Sequence, residues 1–182
     1  MRKNTTLFAW IIAGILSFTL TSCDEDAMIS DTLQGTWKGY MSVYQEYNGR
    51  VYQSTYSIID FVKDPYTYTS GRGYWIDYYS GAPFDYIANH IDWKVSNGII
   101  YVYFIEENAQ VEIGNYHLSD GRFVGTIYYN DKRIDFSLQH ISSPNWDDYD
   151  YGWDYWTKAY KFANDSTSYM PASKKSPQRF FQ

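Results

Sequence analysis

The run Tyr86-Ile87-Ala88-Asn89-His90-Ile91-Asp92-Trp93-Lys94-Val95-Ser96, the pair Asn97-Gly98 and the run Ile99-Ile100-Tyr101-Val102-Tyr103-Phe104-Ile105 decide the fold. In the first run Ile91, Trp93 and Val95 alternate with His90, Asp92 and Lys94. This period of two sets one face of a strand toward a core and the other toward water. Asn-Gly readily takes the positive φ values of a two-residue hairpin turn, so the second run returns antiparallel to the first. Ile99 to Ile105 is apolar on both faces, which predicts a strand covered on both sides or held in the middle of the sheet.

The same pattern extends in both directions. Upstream, Trp37 to Tyr47 sets Trp37, Gly39, Met41 and Val43 against Lys38, Tyr40, Ser42 and Tyr44, and Asn48-Gly49 turns the chain into Val51 to Val62. Asp64-Pro65 marks a corner, and Tyr66 to Tyr78 carries Gly71-Arg72-Gly73, where a bulge or sharp bend would let the sheet curl. Downstream, Glu112 to Leu118, Phe123 to Tyr129 and Ile134 to Ile141 are joined at Asp120-Gly121 and Asn130-Asp131. No segment between these turns carries a helical period. The 21 Tyr, 10 Phe and 7 Trp suit pleated strands. The expected fold is all-β, an eight-stranded antiparallel up-and-down barrel, which closes the sheet and removes its edges. Eight strands give an interior that side chains fill or that holds one small ligand, and both outcomes stay open.

The stretch Leu33-Gln34-Gly35-Thr36-Trp37-Lys38-Gly39 resembles the Gly-x-Trp opening of lipocalins and other calycins. Gly71-x-Gly73, Trp93-Lys94-Val95-Ser96-Asn97-Gly98 and Tyr116-His117-Leu118 followed by Phe123-Val124-Gly125 are similar to the pattern of lipocalin-like lipoproteins of Bacteroidales, over Leu33 to Ile141. The resemblance implies a binding barrel without catalysis. Trp37 is expected to close the barrel floor, with Arg122 or Arg133 stacked on its ring. The sequence departs from secreted lipocalins in having no disulfide pair and no helix pattern after the last strand.

The amino end begins Met1-Arg2-Lys3 and runs apolar from Leu7 to Leu20, too short for the ~20 residues that span a bilayer and laid out as a secretory signal. Leu20-Thr21-Ser22-Cys23 resembles a bacterial lipobox, which implies cleavage before Cys23 and its acylation, and so a lipid anchor in the outer membrane. Asp24-Glu25-Asp26 resembles the acidic run that directs Bacteroidetes lipoproteins to the cell surface, and equally fits a solvated linker. The expected organisation is a signal peptide (1–22), the lipidated Cys and an acidic linker (23–32), the barrel with an aromatic and acidic C-terminal segment (33–160), and a polar, disordered tail (161–182). In that tail the cations Lys174, Lys175 and Arg179 are expected to be able to fold back on the acidic segment.

Cys23 is the chain's single cysteine, so a lipidated form has neither a disulfide nor a thiolate nucleophile. Residues 1–22 hold Arg2 and Lys3 of the 15 cations and none of the 21 carboxylates, so the remaining 160 residues carry a net charge of about −8. A surface of that sign does not suit nucleic acid. His90, His117 and His140 lie on different strands, and no phosphate loop, nucleophile elbow or cofactor motif is present. From Pro144 to Tyr160, Trp146, Tyr149, Tyr151, Trp153, Tyr155 and Trp156 interleave with acidic residues, among them Asp148 and Asp150. Flat rings beside hydrogen-bonding carboxylates fit a sugar-like ligand, and the same rings would serve to clad the barrel. Asp148-x-Asp150-x-Gly152 departs from a calcium loop, because its Gly falls one place early and Ala159 stands where Glu is needed, so no metal is expected. The functional expectation is a lipid-anchored protein that binds a small apolar or sugar-like molecule; the alternative is a structural or protein-interaction lipoprotein without a pocket.

Overall fold

Three of the four hairpin pairs fold as their residue types dictate. Asn48 and Gly49 (φ 52° and 72°), Asn97 and Gly98 (53° and 73°), and Asn130 and Asp131 (45° and 63°) all sit in the left-handed region. Asp120-Gly121 does not; there the turn is closed by Ser119 and Arg122 bonding each other's backbone, 2.9 and 3.4 Å. The computed structural model describes residues 25–153 and 178–181.

The strands are β1 (Gly35–Tyr40), β2 (Val43–Tyr47), β3 (Arg50–Lys63), β4 (Ser70–Tyr79), β5 (Tyr86–Ser96), β6 (Ile99–Phe104), β7 (Ala109–Leu118), β8 (Arg122–Tyr129), β9 (Lys132–Ile141) and β10 (Gln178–Phe181). Each pairs antiparallel with its neighbour from β3 to β9, and β1 pairs with both β3 and β9. That closes an eight-stranded antiparallel barrel, the lipocalin-like architecture. The expected first strand breaks in two at Ser42 (φ 45°). Beyond the break β2 stays on β3 and takes β10 on its other side. Trp37, Met41, Val43 and Gln45 nevertheless all point inward and are fully buried.

Two expectations about the flanks are corrected. Residues 25–32, read as part of a linker, form with Leu33 a helix, α1 (25–33), across one end of the barrel. Its buried face is Asp26, Ser30 and Leu33, with Ile29 against the core. Two polar residues on that stripe hide its apolar period. The Asp26 carboxylate accepts from the backbone N–H of Asn97 (2.9 Å) and Gly98 (2.8 Å), pinning α1 to the β5–β6 turn. Gln178–Phe181, read as part of a disordered tail, is strand β10, because Arg179 and Phe181 point into the barrel and are buried there. Residues 161–177 lie outside the described residues.

Of the two alternatives for β6, it is held in the middle of the sheet, between β5 and β7. Ile100, Val102 and Phe104 are buried, but on the outer face Tyr103 and, just beyond the strand, Ile105 are exposed. The described residues thus cover β6 on one side only. Gly125 answers a bulge on the neighbouring strand. The β7–β8 register shifts between Gly114 and His117, which brings Tyr116 over Gly125; a Cβ there would lie 2.6 Å from the Tyr116 Cβ.

Candidate functional site

Aromatic side chains fill the lower lumen. Trp37 and Phe123 (centroids 5.7 Å apart) and Phe61 and Trp93 (5.7 Å) meet edge to face at the α1 end, and Trp75 and Phe104 (4.9 Å) follow above. All are buried. The Trp37 indole donates to the Leu33 carbonyl (2.8 Å), one of the acceptors that a helix leaves open at its last turn. Gly35 (φ 121°) makes the reversal between α1 and β1, and the His140 ring lies where its Cβ would stand. The expected arginine is not on Trp37: the ring meets Phe123 and His140 (5.0 Å), Arg133 lies over Tyr128 (5.7 Å), and Arg122 is exposed. Leu33 and the rest of α1 fill the space that such a cation would need.

The C-terminal aromatic residues divide between two places. Trp146 stacks on Tyr74 (4.8 Å, 16° between planes), Tyr149 packs edge-on to Tyr86 (5.4 Å), and Tyr151 lies on His90 (4.0 Å). These contacts hold the segment to the outer wall over β4 and β5. The cause is a gap in the sheet: β6 ends opposite Ile91, leaving Tyr86 to His90 without a strand on that edge. Gly152 fills it by donating to the Ala88 carbonyl (2.9 Å). Tyr78 donates to the Tyr149 hydroxyl (2.7 Å), and Tyr151 to the Trp146 carbonyl (3.0 Å). Burial, with the neighbouring phenols, pushes the Tyr78 and Tyr151 phenols well above their ordinary range. Asp148 accepts from the Asn145 amide (2.9 Å), while the Asp150 backbone N–H donates to the Tyr86 hydroxyl (3.0 Å).

Trp153 is not part of this wall. It packs against Phe84 (5.5 Å) and Tyr47 (5.1 Å) in a separate apolar cluster with Tyr79 and Ile87 at the barrel mouth, opposite α1. Cys23, Tyr155 and Trp156 lie outside the described residues. Sequence reasoning missed the wall partners Tyr74, Tyr78, Tyr86 and His90. Their signal was available, since 74 and 78, like 86 and 90, are outward positions on adjacent strands.

The mouth contains a buried polar site. Arg179 reaches down from β10, pairs through Nη1 with Asp77 and donates from Nε to both oxygens of Glu107 (3.1 and 3.0 Å). Its guanidinium carbon lies 4.4 Å from the Phe104 ring centre and 5.7 Å from that of Trp75. Burial opposes its charge, but the two carboxylates outweigh burial and hold its pKa above the ordinary value. Around it Gln45 (both amide atoms), Ser54 Oγ, the Tyr79 hydroxyl and Arg179 Nη2 are buried without a well-formed hydrogen-bond partner among the described residues. Sequence reading placed Arg179 in the tail and did not single out Asp77, Gln45 or Ser54. An acidic residue at an inward position of β4, between Trp75 and Tyr79, was the visible clue.

A lipocalin-like domain family model matches residues 33–125, just over half of the chain. The chain belongs to the lipocalin-like domain family. The lipocalin-like match begins at the end of α1 and ends within β8, so Trp37, Asp77 and Glu107 fall inside it, while the aromatic wall segment and β10 fall outside. No curated protein matches this lipocalin-like chain.

Proposed function

We propose that this lipocalin-like protein is lipid-anchored to the outer membrane through Cys23 and binds a small polar ligand at the barrel mouth, with no reaction of its own. The observation that carries the binding reading is a set of buried polar groups at the mouth that meet no well-formed hydrogen-bond partner among the described residues: the Gln45 amide, Ser54 Oγ and the Tyr79 hydroxyl, the last of which faces Gln45. A buried polar group without a partner costs about 1–3 kcal/mol, so the site favours a molecule that supplies hydrogen bonds. The rings beneath leave the mouth, not the lower lumen, as the place for it. The anchor rests on the lipobox resemblance at Cys23.

The test is native mass spectrometry of the full chain extracted in detergent, with thermal shifts against a panel of sugars, polyols, amines and apolar molecules. A bound or stabilising polar molecule that is lost in the Gln45→Leu/Ser54→Ala variant is the expected result. No bound molecule and no shift across the panel would refute it. For the anchor, labelled palmitate should enter the wild-type chain and not Cys23→Ser.

A second reading places a sugar-like ligand on the outer wall at Trp146, Tyr149 and Tyr151, with Asp148 and Asp150. It is favoured by half-buried rings flanked by the exposed carboxylates of Asp147 and Asp148. Unchanged affinity for every tested glycan in Trp146→Ala would rule it out.

A further inference from the structure

We infer that the barrel mouth is a receptor for an organic cation, a guanidinium or primary ammonium group, and that the chain's own Arg179 occupies it here. The inference rests on the mouth being the ligand site, and adds the chemical class of what it takes.

The acceptors belong to the barrel and are oriented without β10. Asp77 is fully buried; its Oδ1 accepts from Ser57 Oγ (2.5 Å) and the Trp75 indole (3.0 Å), which leaves Oδ2 for the cation. Glu107 is steadied by the Asn89 amide (2.9 Å). Phe104 and Trp75 present their rings beside the same point. A buried and a half-buried carboxylate with two buried aromatic rings stabilise a positive group and little else. Without one, Asp77 would stand as a buried, uncompensated carboxylate beside the half-buried Glu107, which is strongly unfavourable.

Among the described residues, Arg179 is the only cation paired with either carboxylate. It arrives on a four-residue strand that pairs with β2 alone and lies outside the family match. It also leaves polar groups beside it unmatched. Among the described residues, both amide atoms of Gln45, its cross-strand neighbour, Ser54 Oγ, the Tyr79 hydroxyl that faces Gln45 and one guanidinium nitrogen lack a well-formed hydrogen-bond partner. A cation that carries a hydroxyl or amide would satisfy carboxylates and orphaned groups together. Arg179 is then a tethered competitor, present at an effective concentration of the order of millimolar, and a free ligand binds by displacing β10.

The test uses the full chain in detergent, wild type and Arg179→Ala, with methylguanidinium and n-butylammonium as probes and the uncharged N-methylurea and glucose as controls. Calorimetry should show Arg179→Ala binding a cation at least about tenfold more tightly than wild type, since its site is no longer filled. Asp77→Asn in the Arg179→Ala background should abolish that binding. In the wild-type chain, hydrogen exchange at residues 178–181 should be faster in about 10 mM methylguanidinium than in the same concentration of NaCl. The exchange measurement decides the matter where Arg179→Ala does not fold; unchanged exchange then overturns the inference. A folded Arg179→Ala that binds N-methylurea or glucose and neither cation overturns the cation class and leaves the mouth as a ligand site. Saturable binding of none of the four overturns both.

Discussion

Replacing Asp26 with Ala removes both acceptors that hold α1 to the β5–β6 turn. The two carboxylate oxygens take one backbone N–H each, from Asn97 at 2.9 Å and Gly98 at 2.8 Å, and the residue is only 8% exposed. A hydrogen bond to a charged group contributes about 1.5–3 kcal/mol, and a turn at the end of a barrel can recover part of the loss from water. The expected destabilisation is therefore roughly 2–4 kcal/mol, which for a domain of this size lowers Tm by about 6–12 °C. Asp26→Asn keeps one acceptor but sets an amide N–H₂ against the second donor, so it should lose nearly as much. Thermal melts followed by near-ultraviolet circular dichroism give the magnitude. Amide exchange at Gly98 gives the location, since its protection should fall in step with stability. An Asp26→Ala chain within about 0.5 kcal/mol of wild type, with Gly98 protection unchanged, would refute the assignment of α1 to the folded unit.

Trp37→Phe keeps a ring in the floor but leaves the Leu33 carbonyl unpaired, for a loss of about 1–3 kcal/mol, whereas Trp37→Ala also opens a cavity and should lose about 3–5; urea denaturation separates the two. Gly125→Ala drives a methyl against the Tyr116 Cβ and should destabilise by about 1–3 kcal/mol; Tyr116→Ala keeps that Cβ, so in double-mutant cycles Tyr116→Gly and not Tyr116→Ala should recover part of it. Burial raises the Asp60 carboxyl above its ordinary range despite the Thr36 hydrogen bond and His140, so the folded state holds the proton longer than the unfolded state. Stability should fall as pH rises from the ordinary carboxylate range through that raised value. Asp60→Asn keeps an acceptor for Thr36 and should flatten this fall in Tm measured between about pH 4 and 8.

The barrel was legible because its signals are local and repeated. Alternation along Ile91, Trp93 and Val95 and the Asn-Gly pairs state strand and turn within a few residues, and each agrees with its neighbour. What escaped were features whose meaning is set at long range. α1 hides its period because two of its inward residues are polar: Ser30 donates back to the Asp26 carbonyl within the helix, and the Asp26 carboxylate finds its partners only in the folded barrel. β10 is four residues long, too short for any period, and Arg179 reads as a solvated cation until Asp77, 102 residues away, is placed beneath it. For β6 the apolar run on both faces left two alternatives, and the pairing with β5 and β7 selects the strand in the middle of the sheet, since hydrophobicity alone does not say what covers a strand. The Trp146 to Trp153 run was read as one patch because adjacency in sequence was taken for adjacency in space. The chain splits it between wall and mouth at Gly152, whose φ of 78° lets the backbone turn away after bonding to Ala88.

The docking of α1 has a directional consequence for an acylated chain. Cys23 stands three residues before Asp26, at most ~11 Å of extended backbone, and Asp26 is fastened beneath the barrel. An anchor so short would act as a pedestal in place of a leash: the molecule would stand upright on the bilayer with Arg179 and the end opposite α1 uppermost. Molecules dissolved in the surrounding fluid would then have a direct approach, while lipids of the supporting leaflet would face the sealed base.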